Sequence, residues 1–229
     1  MILSNNLAED SISYKNEADI YQIFSEAEDY PQKILEEIIP VINNKNMVDL
    51  GCGNGKYSSL LSTYAKNIIS IDKSFEQLRL ANKHNESFNT QFLQADATHI
   101  PLNHNQVDIV FSSWMLGTIL DPERQLQALN EMKRICIKNG CIVLIENALD
   151  SQFELLRGRD SKKDNRTANY NNWLISQGFK IHSTIDTYFK FENLQVAQYV
   201  FESIWKDRLT KKVASNIVEH KVHVFICKL

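Results

Sequence analysis

Three glycines and two aspartates carry the clearest chemistry in the chain. The stretch Val48-Asp-Leu-Gly-Cys-Gly-Asn-Gly-Lys56 places glycines at 51, 53 and 55. Glycines at this spacing permit positive φ and let a ligand approach the backbone closely. The helix expected just beyond them offers unpaired N–H groups to a carboxylate or phosphate. A dinucleotide-binding turn would need glycines at 51, 53 and 56, but position 56 is Lys. A phosphate-binding P-loop would need Ser or Thr after Lys56, and Tyr57 stands there.

Asp72 and Asp96 extend the pattern. A carboxylate at the end of the second expected strand is placed to accept both hydroxyls of a ribose. The bland alternative for Asp72, an N-cap or solvated loop acid, is weakened because Ser74 is the better cap. In Ala95-Asp96-Ala97 an acid flanked by small residues can accept a hydrogen bond from an adenine amino group. Taken together, the three sites describe a carboxylate pocket, a ribose clamp and an adenine slot.

The elements around them must hold these residues at one edge. A helix opens at Pro31, carries Ile34, Leu35, Ile38 and Ile39 on one face, and is expected to close at Pro40. Strands are expected at 46–50, 68–71, 90–93, 107–111 and 141–145. Between them run an amphipathic helix over 55–66, a helix capped by Ser74, and one capped by Asp121 with Pro122 in its first turn. Lys138-Asn139-Gly140 is expected to stop the last of these. Strand and helix in this rhythm predict a doubly wound, mostly parallel sheet with helices on both faces. The segment 152–171 reads as a charged loop, 173–177 as helix ended by Gly178, and 180–188 and 221–228 as strands. Residues 191–213 read as a helical insertion within a single domain, 1–229.

Composition narrows the function classes. Over 229 residues, a net charge of −3 argues against a partner bound chiefly through phosphates. The four cysteines lack zinc-knuckle spacing and read as reduced core thiols of a cytoplasmic protein. No apolar run approaches the roughly 20 residues of a membrane span, and no secretory leader is apparent at the N-terminus.

With these residues in place, the sequence resembles the class I S-adenosylmethionine-dependent methyltransferases, in their small-molecule branch. Asp49–Gly55 matches the family's Asp/Glu-x-Gly-x-Gly-x-Gly, Asp72 its ribose acid and Asp96-Ala97 its adenine contact. Arg134-Ile-Cys-Ile-Lys-Asn-Gly140 resembles the family's turn before strand five, with Asn139 for the usual proline and Cys141 for the second glycine. Trp173-Leu-Ile-Ser-Gln-Gly-Phe179 resembles its turn into strand six. The resemblance implies seven strands, the last antiparallel. It implies S-adenosylmethionine contacts at Asp49, Gly51, Cys52, Gly53, Gly55, Asp72, Lys73, Asp96, Ala97, Ser112, Ser113 and Tyr21. Phe111-Ser-Ser-Trp-Met-Leu-Gly117 lacks the Asn/Asp-Pro-Pro-Tyr/Phe of enzymes that methylate DNA amino groups.

Glu146, at the ligand end of strand five, is the first candidate for a catalytic base, and Trp114 for a wall of the acceptor pocket. No complete metal-ligand set is legible, so no metal is expected. Tyr14, Tyr21 and Tyr30 in an N-terminal cap over 1–30, with Phe191, Tyr199, Phe201 and Trp205, are expected to cover the site. The expected partner is a small-molecule methyl acceptor, not nucleic acid or a membrane, and a homodimer is compatible with the sequence. The rival reading is methylation of RNA or a peptide, favoured only by Arg157, Arg159, Lys162, Lys163 and Arg166, which Asp160 and Asp164 interrupt. A third reading is a non-catalytic module that binds the same cofactor.

Overall fold

The computed structural model describes residues 18–229. Tyr14 and the rest of the N-terminal cap before residue 18 lie outside the described residues. Two helices come first, α1 (Ala18–Ala27) and α2 (Lys33–Ile42). Strands and helices then alternate: β1 (Asn46–Leu50), α3 (Lys56–Ser62), β2 (Asn67–Asp72), α4 (Phe75–His84) and β3 (Thr90–Gln94). They continue as β4 (Val107–Ser113), α5 (Pro122–Ile135) and β5 (Cys136–Asn147). The C-terminal third holds α6 (Gln152–Leu156), α7 (Arg166–Ser176), β6 (Lys180–Lys190), α8 (Leu194–Trp205) and β7 (Ile217–Lys228).

The seven strands form one sheet in the order β3-β2-β1-β4-β5-β7-β6. Strands β1 to β5 are parallel, and β7 runs antiparallel between β5 and β6. The order reverses between β1 and β4, so the crevice of this open sheet lies beyond their carboxyl ends. Alternating side chains send Val48, Leu50, Val110, Ile142 and Leu144 to one face, under Leu129 and Met132 of α5 and Leu174 of α7. Met47, Ile109, Phe111, Val143 and Ile145 go to the other face, under Ile34 and Ile38 of α2 and Leu61 of α3. A third cluster is mostly aromatic: Phe24, Phe153, Phe189, Phe191, Phe201 and Trp205.

Several expectations are corrected. Pro40 does not close α2 but lies inside it. Its missing N–H removes one helical bond, yet burial of Ile38 and Ile42 carries the helix through the last turn. Lys138-Asn139-Gly140 does not stop α5, which already ends at Ile135. Cys136 pairs with Val107 and Cys141 with Ile109, so 137–140 bulge out of the ladder. Asn139 takes φ 70° there, and a Cβ on Gly140 would meet the Asp108 carbonyl at 2.5 Å.

The charged segment 152–171 is not a loop but holds α6 and the start of α7. Ser151 caps α6 by accepting from the Glu154 N–H, and Phe153 and Leu156 are buried. Its charges pair internally, Arg157 with Glu154 and Arg166 with Asp164. Among the described residues, no helix is long and apolar enough to cross a membrane.

Candidate functional site

The turn after β1 is shaped by what surrounds it. Gly51 has φ +74°, donates its N–H to the Ile71 carbonyl at 2.7 Å, and would drive a Cβ to 2.3 Å from Met115 Cγ. Gly55 begins α3 at φ 81° with Ala81 against it. Between them, Gly53 N–H donates to Asp72 Oδ2 at 2.9 Å, and Ser74 N–H donates to Asp72 Oδ1 at 2.8 Å. Asp72 thus ties the glycine turn to the end of β2. A carboxylate has about four acceptor positions. The acceptor positions that these bonds leave at Asp72 fit the hydroxyls of a ribose. Burial, opposed by these N–H bonds, pushes its carboxyl above the usual range.

Asp49 points inward. It is 1% exposed and accepts the Ser58 hydroxyl at 2.6 Å, which itself accepts from Ser70. Burial pushes its carboxyl to about 7. Asp49 therefore anchors α3 from below. Cys52 is buried in the turn and Lys73 is exposed. Ser112 is buried and donates to the Leu50 carbonyl at 2.7 Å, clamping β4 to β1.

Asp96 stands beyond β3. It accepts the Thr98 N–H and hydroxyl on Oδ1 and Arg124 on Oδ2 at 2.9 Å. Burial opposes its charge, but the Thr98 bonds and Arg124 outweigh that and hold its carboxyl below the usual value. Half-buried Ala97 packs on the core beside it.

One pocket opens at the β1–β4 crevice. Tyr21, Ser25, Glu28, Gly51, Cys52, Asn54, Lys56, Tyr57, Ser113 and Trp114 line it. The structure thus brings together Tyr21, Gly51, Cys52, Ser113 and Trp114 from the expected set. Tyr21 lies over Gly53, 3.4 Å from where a Cβ would stand. Lys56 Nζ donates to the carbonyls of Ser25 (2.7 Å) and Glu28, and Ser25 Oγ donates to Asn54. The end of α1 is therefore fastened to the glycine turn.

Trp114 and Glu146 do not face each other. Trp114, at φ 48°, packs with Val143 and Ile145. Its indole N–H donates to Asn147 Oδ1 at 3.1 Å, and its ring stacks on His220 at 5.7 Å. Glu146 lies on the opposite face, 4% exposed, where it accepts the Tyr170 hydroxyl at 2.8 Å beside Gly117. Burial, opposed by that hydrogen bond, pushes its carboxyl to about 7. Tyr30 is exposed against Tyr188, and Tyr199 is also exposed, so neither walls the pocket. Phe191, Phe201 and Trp205 are buried around Phe24 and support α1 from behind.

Sequence reasoning missed Ser25, Glu28, Asn54, Lys56 and Asn147. Lys56 carried a signal, as a cation directly after the last glycine. Glu28 carried none, being one acid in an acidic stretch.

Residues 48–144 match the Methyltransferase domain family. The chain is 31% identical over 88 residues to phosphoethanolamine N-methyltransferase 1 of Caenorhabditis elegans, covering 37% of this chain and 18% of that protein. It is 29% identical over 151 residues to a malonyl-[acyl-carrier protein] O-methyltransferase of Marinomonas, covering 62% and 55%. It is 22% identical over 223 residues to the tRNA (carboxymethyluridine(34)-5-O)-methyltransferase of Schizosaccharomyces pombe, covering 91% and 93%. The chain thus spans about half or less of the first two of these relatives. An S-adenosylmethionine-dependent methyltransferase structure from Aquifex aeolicus superposes with a TM-score of 0.58 at 18% identity, covering 90% of this chain and 96% of that one. The matching domain and the seven-stranded sheet together support a class I S-adenosylmethionine-dependent methyltransferase.

Proposed function

We propose that the protein transfers a methyl group from S-adenosylmethionine to an oxygen or nitrogen of a small-molecule acceptor. The observation that carries this is the joining of the glycine turn, Asp72 and Trp114 at one sheet edge beneath Tyr21. Asp72 would hold the ribose, Asp96 the adenine edge, and the Gly51–Gly55 turn with Ser113 the amino-acid arm. When bound, the group supplies a methyl on a positively charged sulfur. The chain's own part is to fix the acceptor in line and keep water out, an effect of about 7–11 kcal/mol at best. The aromatic faces of Trp114 and Tyr21 favour a cation near them.

The named relatives act on phosphoethanolamine, a malonyl carrier and tRNA, so the reading takes its reaction class from them and not its acceptor. Calorimetry with S-adenosylhomocysteine and with NADH tests the cofactor: binding of the first alone is expected, and NADH binding without it overturns the reading. A metabolite panel assayed for methyl transfer then tests the acceptor. The tRNA relative, which aligns along 91% of this chain, keeps RNA as a second reading. An RNA acceptor would lose affinity steeply with salt, and a small neutral acceptor would not. A cytoplasmic enzyme, monomeric or a homodimer, fits either.

A further inference from the structure

Glu28 stands at the end of α1, on the wall of the pocket that also contains Gly51, Ser113 and Trp114. It is 7% exposed, and its carboxyl accepts no hydrogen bond among the described residues. A buried carboxyl without a partner is costly unless something from outside completes it. Its nearest candidate inside the protein is His220 on β7, whose Nδ1 lies 3.8 Å from Glu28 Oε1.

That histidine has no proton to give an ionised Glu28. The Trp114 indole is a donor only, so Asn147 must present Oδ1 to it. The same Oδ1 lies 2.8 Å from His220 Nε2, which must then carry the ring proton. Nδ1 is left as a lone pair facing Glu28, buried and without a hydrogen-bond partner. His220 is 1% exposed and sandwiched between Trp114 and Phe189. Burial, with Arg157 and Lys56 nearby, holds it far below the usual imidazole range, so it stays neutral. The Lys56 ammonium gives two of its three donors to the backbone carbonyls of Ser25 and Glu28.

We propose that Glu28 is a catalytic residue that takes the proton from the methyl acceptor, which is therefore a proton-bearing amine or hydroxyl. This rests on the reading of the pocket as the methyl-transfer site. The acceptor nitrogen or oxygen bonds to the methyl carbon as the carbon–sulfur bond breaks, its electron pair going to sulfur. The acceptor's proton passes to a Glu28 carboxylate oxygen. An acceptor that is already a carboxylate would release no proton and would gain nothing from Glu28. Burial pushes the Glu28 carboxyl upward; Lys56 and Arg157 oppose this and Asp29 adds to it, so its proton affinity suits a base working near neutrality.

Two probes that need no acceptor test this. Sinefungin carries an amine where the methyl group would be, and S-adenosylhomocysteine carries nothing there. Calorimetry on the full chain between pH 6 and 8 should show sinefungin gaining on S-adenosylhomocysteine as pH rises, with release of a proton, because Glu28 must ionise to pair with the ammonium. Glu28→Gln should cut sinefungin affinity at least ten-fold at pH 8 and leave S-adenosylhomocysteine within about two-fold. Equal losses for both probes would make Glu28 an anchor of the amino-acid arm and overturn the proposal. So would a wild-type sinefungin preference that does not change with pH, a result independent of whether the variant folds. Failure of the wild type to bind either probe would instead overturn the cofactor reading.

Discussion

The two halves of the crevice are built differently. On the β1–β2–β3 side, the residues that would hold the cofactor follow directly from the ends of successive strands, and Asp72 reaches Gly53 across one strand pair. On the other side, Glu28 and Trp114 line the pocket with Asn147 and His220 behind them, and the four come from four separate segments. Behind them Phe24, Phe153, Phe189, Phe201 and Trp205 form one aromatic cluster. The first half is backbone geometry with carboxylates attached. The second is a tertiary assembly whose polar groups are arranged by packing. A fold that hosts many acceptors would vary the second half and keep the first.

The largest test removes the assembled half. Deleting residues 1–28 takes away Tyr21, Ser25 and Glu28 from the pocket and Phe24 from the cluster. Methyl transfer to an acceptor identified by the panel should fall by two orders of magnitude or more, through lost positioning. Full turnover in the truncated protein would show that only the strand-end half matters. Because Phe24 is buried, the deletion should also lower stability; Phe24→Ala alone should cost about 3–5 kcal/mol by urea denaturation. A loss below about 1 kcal/mol would mean that α1 is not packed as described.

Next in size is the strand-end half itself. Asp72→Ala should weaken S-adenosylhomocysteine binding roughly 10- to 150-fold, from hydrogen bonds to a charged group worth about 1.5–3 kcal/mol. The fold should survive, since Asp72 ends a strand, although the Gly53 and Ser74 N–H groups lose their acceptor. Unchanged affinity in a folded variant would remove Asp72 from the site.

Glu146 sits on β5, buried away from the pocket, and its effect is on stability. Its folded value of about 7 lies above the ordinary 4.5, so the native state holds the proton more tightly than the unfolded chain. That contribution is complete below about pH 4.5 and is lost as pH rises toward 7. Glu146→Gln keeps an acceptor for Tyr170 and carries no charge. It should therefore be more stable than wild type by on the order of 2–3 kcal/mol at pH 8 and nearly equal at pH 4. Thermal melts at both pH values would check this; an equal shift at both would remove the buried charge as the cause.

The smallest effect belongs to a site outside both halves. Asp121 caps α5 by accepting the Glu123 and Arg124 N–H groups. Asp121→Ala should cost about 1 kcal/mol and leave S-adenosylhomocysteine affinity unchanged. A change in affinity would show that α5, through Arg124 and Asp96, reaches the cofactor side.

The sequence by itself determined the alternation of the first five strands with their helices, the glycine turn, the position of Asp72 at a strand end and the caps at Ser74 and Asp121. Each depends on neighbours within a few residues, so residue type and spacing carry the information. The sequence did not reveal the helices in 152–171, because the charged residues there, which pair within the segment, read as a solvated loop. It placed Trp114 and Glu146 in one pocket, whereas the pleat sends them to opposite faces of the sheet. It did not reveal what Glu28, Lys56 and His220 do in the fold. Their roles come from desolvation and from the one hydrogen-bond direction that Trp114 permits, and both exist only once β7, α1 and the turn after β4 are packed together.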